Sequence, residues 1–154
     1  MFFGGESGPA AVTVDGFTFS GSNVVALRVV FASVNVRRCQ FTENGLASLI
    51  PFGGAILLWF STSRIEHCVF QRNHARSGGA LYAFRSSAEL LDCSFLENQA
   101  RQSDFSYAGG AVYSEKGKLH ISRCSFLRNL SEDRGGAIAV SDSYDPSAFV
   151  CEHS

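Results

Sequence analysis

The sequence contains little charge, and the two signs are balanced. Charged residues make up 18% of the 154-residue chain, and 13 basic residues face 14 acidic ones, for a formal net charge of −1. Arg37 and Arg38 are the only adjacent basic pair. Binding to nucleic acid or to an anionic membrane surface depends on concentrated positive charge. The sequence therefore predicts neither kind of partner.

Long hydrophobic runs are also missing. The most apolar stretch, residues 46–60, has 15 residues and contains Pro51. A membrane-spanning helix needs about 20 apolar residues, so we expect no membrane-spanning segment in this chain. The first residues, Met-Phe-Phe-Gly-Gly-Glu, lack the basic and apolar regions of a signal peptide. We expect either that the protein is not secreted by that route or that the chain is a piece of a longer protein.

Metal-binding and cofactor-binding motifs are absent from the sequence. None of the five cysteines belongs to a Cys-x-x-Cys pair, so we expect no zinc or iron–sulfur site and no cofactor. The acidic residues Asp104, Glu132 and Asp133 lie in segments of variable length. We interpret them as part of a solvated rim rather than as a calcium site. No serine or cysteine nucleophile has a recognisable base motif, and the sequence predicts no catalytic residues.

The chain instead contains a repeat, in which Gly-Gly-Ala and twelve further residues precede Cys-x-Phe-x-x-Asn. Full copies begin at Gly53, Gly78 and Gly109, and partial copies lie on either side. In each full copy the cysteine follows the first glycine by 15 residues, and the asparagine follows the cysteine by 5. Only the gap from asparagine to the next glycine varies, between 5 and 11 residues. Insertions confined to one position are typical of stacked repeats whose loops emerge on one side.

Within each repeat, apolar residues alternate with polar ones, which predicts strands rather than helices. Residues 12–19 show this alternation most clearly. One strand follows the glycines, a second ends shortly before the cysteine, and a third carries the cysteine and the phenylalanine. The sequence thus predicts an all-β right-handed parallel β-helix, or β-solenoid, of about five coils of three short strands. We expect residues 1–154 to form one domain, with the Asn-to-Gly segments as protruding loops.

In a parallel β-helix, equivalent residues stack above one another at about 4.8 Å, the strand spacing. The repeat therefore predicts three structural ladders. Their members are Phe19, Phe41, Phe70, Phe95 and Phe126 in the first, Cys39, Cys68, Cys93 and Cys124 in the second, and Asn44, Asn73, Asn98 and Asn129 in the third.

Each ladder has an expected role. The phenylalanines and cysteines should line the core, and the cysteines should be free, because a disulfide needs Cβ atoms about 3.8 Å apart. The asparagines should occupy a bend in the left-handed conformation, with their amides bonded to the backbone and to one another. For that reason we expect no glycan on the Asn129-Leu130-Ser131 triplet. The paired glycines should serve a corner with positive φ or close backbone approach. Cys151 falls one residue late and should be exposed.

The combination of Gly-Gly-Ala-(Ile/Leu/Val) with Phe-x-x-Asn resembles the repeat signature of the chlamydial polymorphic outer-membrane proteins. The resemblance implies a β-helix in a passenger-type region on the cell surface or outside the cell, used for adhesion without catalysis. The matching residues are Gly53–Ile56, Gly78–Leu81, Gly109–Val112 and Gly135–Ile138, together with Phe41–Asn44, Phe70–Asn73, Phe95–Asn98 and Phe126–Asn129.

The strand after the glycines supplies the candidate ligand-binding residues. Its aliphatic position, one residue after the alanine, should point inward, so positions two and four after the alanine should point outward. We expect these side chains to form an exposed apolar patch that binds a glycan or a protein. Its members are Leu57, Trp59, Tyr82, Phe84 and Tyr113. The alternative is that the loop Arg101 to Ala108 folds over the patch and covers it.

Two function hypotheses follow. The first is a non-catalytic β-solenoid module of a surface or extracellular protein, which binds a glycan or a protein ligand. The alternative is a carbohydrate-active β-helix enzyme of the pectin-lyase type, or a fragment of one. An outward column of carboxylates and arginine on adjacent coils would favour the enzyme, and the sequence does not reveal one. Unpaired strand edges on an open coil also predict end-to-end self-association.

Overall fold

A computed structural model of the chain describes residues 2–3, 11–45, 52–101, 109–141 and 149–152. Within these ranges the regular structure consists of short strands joined by tight turns. The strands are β1 (Phe2–Phe3), β2 (Ala11–Asp15), β3 (Thr18–Ser20), β4 (Leu27–Val30), β5 (Ser33–Arg37), β6 (Gln40–Thr42), β7 (Ile56–Trp59), β8 (Thr62–Glu66), β9 (Val69–Gln71), β10 (His74–Ala75), β11 (Leu81–Phe84), β12 (Ser87–Leu91), β13 (Ser94–Leu96), β14 (Gln99–Ala100), β15 (Val112–Glu115), β16 (Lys118–Ser122), β17 (Ser125–Leu127), β18 (Leu130–Ser131), β19 (Ile138–Ser141) and β20 (Phe149–Glu152).

The described strands form four parallel sheets, each built from equivalent strands of successive coils. The first sheet has the order β1-β4-β7-β11-β15-β19, and the second has the order β2-β5-β8-β12-β16-β20. The third sheet is β3-β6-β9-β13-β17, and the fourth is β10-β14-β18. In each coil the chain contributes one strand to each sheet in turn, and the next coil adds its strands beside them. The prediction of a parallel β-helix is therefore confirmed.

The fourth sheet lies in segments that the sequence predicted as loops. Each of its strands is two residues long and directly follows the ladder asparagine, so that His74 pairs with Gln99, and Gln99 with Leu130. Two residues are too few to show an alternating pattern, so no periodicity predicts these strands. The rest of the two longest Asn-to-Gly segments, residues 46–51 and 102–108, lies outside the described residues.

The core lies between the first three sheets and is filled by columns of equivalent side chains from successive coils. The five ladder phenylalanines stack with ring centroids 4.7–5.0 Å apart and ring planes within 5° of parallel. Phe41, Phe70 and Phe95 are fully buried. Burial of one such side chain stabilises the fold by about 1.5–3 kcal/mol. Aliphatic residues of the first and second sheets complete the same core.

The ladder asparagines are bonded as expected, but their backbone conformation differs from the prediction. The left-handed residue is the one before each asparagine, and its φ is 51–55°. Those residues are Glu43, Arg72, Glu97 and Arg128. The prediction was wrong because the asparagine must turn its amide inward to reach the neighbouring coils. The preceding residue makes the turn instead and carries its long side chain into solvent.

The four ladder cysteines are free, and each thiol is bonded to the backbone. Cys39, Cys68 and Cys93 are buried, and Cys124 is half-buried. Each Sγ donates to the carbonyl oxygen two residues earlier, at 3.1–3.3 Å. Cys151 is exposed as predicted, but it pairs with Ile121 and so occupies an aliphatic column of the second sheet. The equivalent strands β7 and β8 are separated by only two residues, whereas residues 142–148 separate β19 from β20. The extra residues shift Cys151 out of register with the ladder cysteines.

The two glycines of each repeat serve different purposes. Gly53 has a φ of +58°, in the left-handed region that favours glycine. Gly54 has an ordinary φ, but a Cβ there would collide with the carbonyl oxygens of His74 and Gly79 on neighbouring backbone. The first glycine therefore allows the turn, and the second allows close approach between coils.

Left-handed residues also define three corners, where equivalent side chains form columns along the solenoid. The corners follow the first, second and third sheets, and their side chains are exposed or half-buried. The non-glycine members are Phe31, Phe60, Arg85 and Lys116 at the first corner, Arg38, His67, Asp92 and Arg123 at the second, and Glu43, Arg72, Glu97 and Arg128 at the third.

Candidate ligand-binding site

The outward side chains of the first sheet are largely buried, which corrects the prediction of an exposed patch. Leu57, Tyr82 and Tyr113 are 9%, 2% and 3% exposed and form a second apolar cluster outside the main core. The ring of Phe52 packs on Tyr82 with centroids 4.3 Å apart. The Tyr82 hydroxyl donates to Oε2 of Glu115 at 2.7 Å, also within a buried environment. The prediction was wrong because alternation along a strand identifies the outward face but not what covers it. Most of the loop proposed as a cover, residues 102–108, lies outside the described residues.

The other two predicted patch residues, Trp59 and Phe84, are half-buried and belong to a different surface. Their rings stack at 4.4 Å, and Phe84 meets the edge of Phe60 at 5.7 Å. Phe60 in turn stacks on Phe31 at 5.2 Å. Phe31 and Phe60 are 59% and 37% exposed. We call these four residues, Phe31, Trp59, Phe60 and Phe84, the aromatic corner.

Sequence reasoning missed Phe31 and Phe60 because they occupy turns and not strands. A signal was nevertheless present. Phe31 follows Ala26 by five residues, and Phe60 follows Ala55 by five. Both therefore occupy the same repeat position, and a column of exposed aromatic residues at a turn could have been recognised from that spacing.

Arg85 continues the column of the first corner and extends the aromatic corner with a positive charge. Its guanidinium carbon lies 5.5 Å from the ring centroids of both Phe60 and Phe84. This is within the range of a cation–π interaction. Among the described residues, no carboxylate pairs with Arg85, whereas Lys116 Nζ of the same corner lies 3.7 Å from Glu115 Oε1. The guanidinium is exposed and held against two rings.

A shallow groove adjoins the aromatic corner and runs across the outward face of the second sheet. It consists of two neighbouring cavities of about 390 and 350 Å³ that share Thr62, Ser87 and Lys118. The first cavity is closest to the aromatic corner, and the second crosses the middle of the strands. The lining side chains include Phe60, Ser61, Arg85, Ser86 and Lys116 in the first cavity and Ser33, Asn35, Arg64, Glu89 and His120 in the second. Most of these residues carry a hydroxyl, amide or charged group, while carbon atoms contribute the larger part of the exposed lining.

The groove contains an outward column that the sequence analysis did not find. Arg64, Glu89 and His120 lie on adjacent strands in direct register. Arg64 Nη1 donates to Glu89 Oε2 at 2.7 Å, and His120 Nδ1 lies 3.7 Å from Glu89 Oε1. Arg64 also donates to Glu66 at 3.1 Å, and this bond lowers the pKa of the Glu66 carboxyl. The column escaped recognition because its residue type changes from coil to coil, so that no letter repeats.

The second and third corners differ from the first because their charges pair with one another. At the second corner, Arg123 holds Asp92 in a bidentate ion pair with distances of 2.7 and 2.8 Å. At the third corner, Arg72 donates to Glu43 at 2.9 Å, and Arg128 donates to Glu97 at 3.5 Å. At both corners, opposite charges on neighbouring coils thus pair, and Arg38 of the second corner pairs with Asp15 of β2.

No metal-binding arrangement occurs in the part of the chain that the structure describes, where groups of three or more His, Cys, Asp or Glu are not positioned to hold an ion. Asp104 lies outside the described residues. Glu132 and Asp133 are exposed in the turn after β18. Asn129 donates its side-chain amide to the Phe95 carbonyl oxygen at 2.9 Å, so its amide is engaged in the ladder. The described segments also include no helix with the length and apolarity needed to cross a bilayer.

Comparison with known families agrees with the observed architecture. A family model with the description "Right handed beta helix region" matches residues 2–152. The chain belongs to this right-handed β-helix family. No curated protein sequence and no solved structure matches this β-helix. Because one fold can carry unrelated functions, the function of the β-helix must be argued from its surface.

Proposed function

We propose that this chain is a non-catalytic β-solenoid module of a surface or extracellular protein, and that it serves adhesion by binding a glycan. The observation that carries the proposal is the exposed stack of Phe31 and Phe60 beside the polar groove. Aromatic rings offer large, rigid contact area at low entropic cost, and sugar rings have apolar faces that can stack on them.

The composition of the groove supports a glycan rather than an apolar ligand or a protein. Small-molecule sites are usually lined mainly by hydrophobic side chains, and the cores of protein interfaces are depleted in charged residues. Here the groove presents hydroxyls from Thr62 and Ser87 together with the Asn35 amide and the Arg64–Glu89 pair. Such groups can exchange hydrogen bonds with the many hydroxyls of a sugar chain.

The surface location rests on the resemblance of the repeat to the chlamydial polymorphic outer-membrane proteins. That resemblance is carried by the Gly-Gly-Ala and Phe-x-x-Asn motifs of each coil, such as Gly78–Leu81 and Phe95–Asn98. The fold gives both motifs a structural reason, because the glycines allow close coils and the asparagines form a ladder. A long, regular solenoid displays its corners to solvent, as an adhesive module requires.

A second candidate function is a carbohydrate-active enzyme, and the column Arg64, Glu89 and His120 favours it. Glycoside hydrolysis typically needs two carboxyl groups, one of which must be protonated to act as a general acid. Arg64 bonds to Glu89 in the groove and to Glu66 beside it, and the bond from Arg64 lowers the pKa of the Glu66 carboxyl. This arrangement supports binding better than acid catalysis. Release of shorter sugars or unsaturated products from a bound oligosaccharide would favour the enzyme over the binding module.

Glycan-array binding, followed by titration of the sugars that bind, tests the proposed function. Phe60→Ala and Phe31→Ala should each weaken binding by about tenfold or more, because each removes part of the stacking surface. The Phe31 ring is mostly exposed, so the thermal midpoint of Phe31→Ala should change little. Phe17→Ala is the matched control, since Phe17 is also exposed but lies away from the aromatic corner. Unchanged glycan affinity in both corner variants would refute the proposal.

A further inference from the structure

The three corners of the solenoid differ in how their charges are satisfied. At the second corner Arg123 pairs with Asp92, and at the third corner Arg72 pairs with Glu43. These pairs connect neighbouring coils and serve the solenoid itself. At the first corner, Arg85 contacts the rings of Phe60 and Phe84, and none of the described carboxylates pairs with it.

The position of Arg85 suits it to a ligand. The side chain lies next to the exposed Phe60 and contributes to the wall of the cavity nearest the aromatic corner. A guanidinium can stack on aromatic rings and still present N–H groups to a carboxylate or sulfate, often in bidentate geometry. Because the two rings hold the guanidinium in place, little conformational freedom remains to be lost when an anion binds.

We infer that the ligand of the aromatic corner is an acidic glycan, whose carboxylate or sulfate binds the Arg85 guanidinium while a sugar ring stacks on Phe60. This inference rests on the proposed glycan-binding function and adds the chemical class of the sugar. Arg85 is then the residue that determines specificity for acidic over neutral sugars, and Phe60 supplies affinity common to both.

The test compares an acidic oligosaccharide with its neutral counterpart and with a sulfated oligosaccharide. Wild-type protein is titrated calorimetrically at low salt with an oligosaccharide that contains glucuronate, with the same oligosaccharide after reduction of its carboxyl groups, and with a sulfated oligosaccharide of equal length. We expect at least one acidic sugar to bind about tenfold or more tightly than the reduced sugar, and added salt to narrow the difference. The preferred acidic sugar identifies whether the bound group is a carboxylate or a sulfate.

Variants at the first corner then assign the effect to one residue. Arg85→Gln should abolish the preference for the acidic sugar and leave the weaker binding of the reduced sugar in place. Arg85→Lys should retain part of the preference, because it keeps the charge but loses the bidentate geometry. Arg128→Gln is the control, since Arg128 is an exposed arginine at another corner that already pairs with Glu97.

The outcomes separate this inference from the proposed function. If wild-type protein binds the reduced sugar as tightly as both acidic sugars, the inference falls and the proposed function stands. An acidic preference that survives in Arg85→Gln also overturns the inference. If none of the array sugars binds, the proposed function fails together with it. The comparison of sugars on the wild-type protein needs no variant, so it remains decisive even if Arg85→Gln folds poorly.

Discussion

The side-chain amide of Asn44 donates a hydrogen bond to the side-chain oxygen of Asn73, 29 residues later in the chain, at 3.0 Å. The same oxygen of Asn73 accepts the backbone N–H of Asn44 at 3.1 Å. The amide of Asn73 donates to the Phe41 carbonyl oxygen and to Asn98 at 2.9 and 3.0 Å. Asn44, Asn73 and Asn98 thus each accept from one neighbouring coil and donate to a backbone carbonyl and to the next asparagine, a combination that only an amide of this length supplies.

Asn73→Ala should therefore be strongly destabilising. The change leaves the Phe41 carbonyl oxygen and two Asn44 donors without their partner in a buried environment. Each unsatisfied buried group costs about 1–3 kcal/mol, so we expect a loss of about 3 kcal/mol or more in the free energy of unfolding, measured by denaturant titration. Asn23→Ala, at an exposed position, is the control and should change the free energy by less than about 0.5 kcal/mol. Equal effects of the two substitutions would contradict the role of the ladder.

The second glycine of each repeat offers a test at matched positions. A Cβ at Gly79 would collide with the carbonyl oxygens of Gly110 and Gln99, whereas at Gly136 the nearest atom is the Asn129 carbonyl oxygen, 3.8 Å away. Gly79→Ala should lower the thermal midpoint by several degrees, because backbone must move to admit the methyl group, at a cost of about 1–3 kcal/mol. Gly136→Ala should leave the midpoint nearly unchanged. A similar loss in both variants would mean that conformational freedom, and not space, is what these glycines provide.

Substitution of Tyr82 tests whether the outward cluster on the first sheet is buried, in contrast to the exposed aromatic corner. Tyr82→Ala removes a buried ring and takes the hydroxyl donor away from the buried Glu115. Large aromatic truncations of this kind cost about 3–5 kcal/mol. We expect a loss of this size in chemical denaturation, with little loss from Phe31→Ala, whose ring is mostly exposed. A stable Tyr82→Ala variant would restore the interpretation of Leu57, Tyr82 and Tyr113 as a binding patch.

Cys124 should be the most acidic thiol of the cysteine ladder. The Cys93 thiol beside it, and then the Cys93 backbone N–H at 3.4 Å, lower the pKa of Cys124 to about 7 despite partial burial. The thiolate is the form that reacts with iodoacetamide, so the alkylation rate should rise as pH increases through about 7. The measurement uses a Cys151→Ser background, because Cys151 is exposed.

In that background, Cys93→Ala should move the midpoint of the alkylation profile to higher pH, because the donor that stabilises the thiolate is gone. Cys39→Ala removes a more distant member of the same ladder and should leave the midpoint in place. A profile that does not respond to Cys93→Ala would show that another group sets the reactivity of Cys124.

Repetition made most of the fold predictable from one sequence. Copies of the same motif provide an internal alignment, and residues such as Phe70 and Phe95 could be placed on one another because their offsets agree. The prediction was weaker where a feature depends on what lies beside a strand. Tyr82 was correctly placed on the outward face, yet Phe52 packs on it from a segment with no repeat signal.

The candidate site was predictable only in part, for a related reason. Trp59 and Phe84 were singled out, but their partners Phe31 and Phe60 occupy a turn, where period-two alternation carries no information. Arg64, Glu89 and His120 occupy the same position of the repeat but differ in residue type. A search for a repeated sequence motif therefore does not detect this column. Binding surfaces differ between coils by nature, whereas core positions repeat.

The third corner carries Glu43, Arg72, Glu97 and Arg128 on successive coils, so its charge alternates with a period of two coils while the fold has a period of one. Insertion or deletion of a single coil would place two carboxylates or two guanidinium groups side by side, which is unfavourable between adjacent strands. Addition of two coils would preserve every pair. If a solenoid of this type lengthens by duplication of coils, the ion pairs of the third corner favour duplication or loss of two coils at a time.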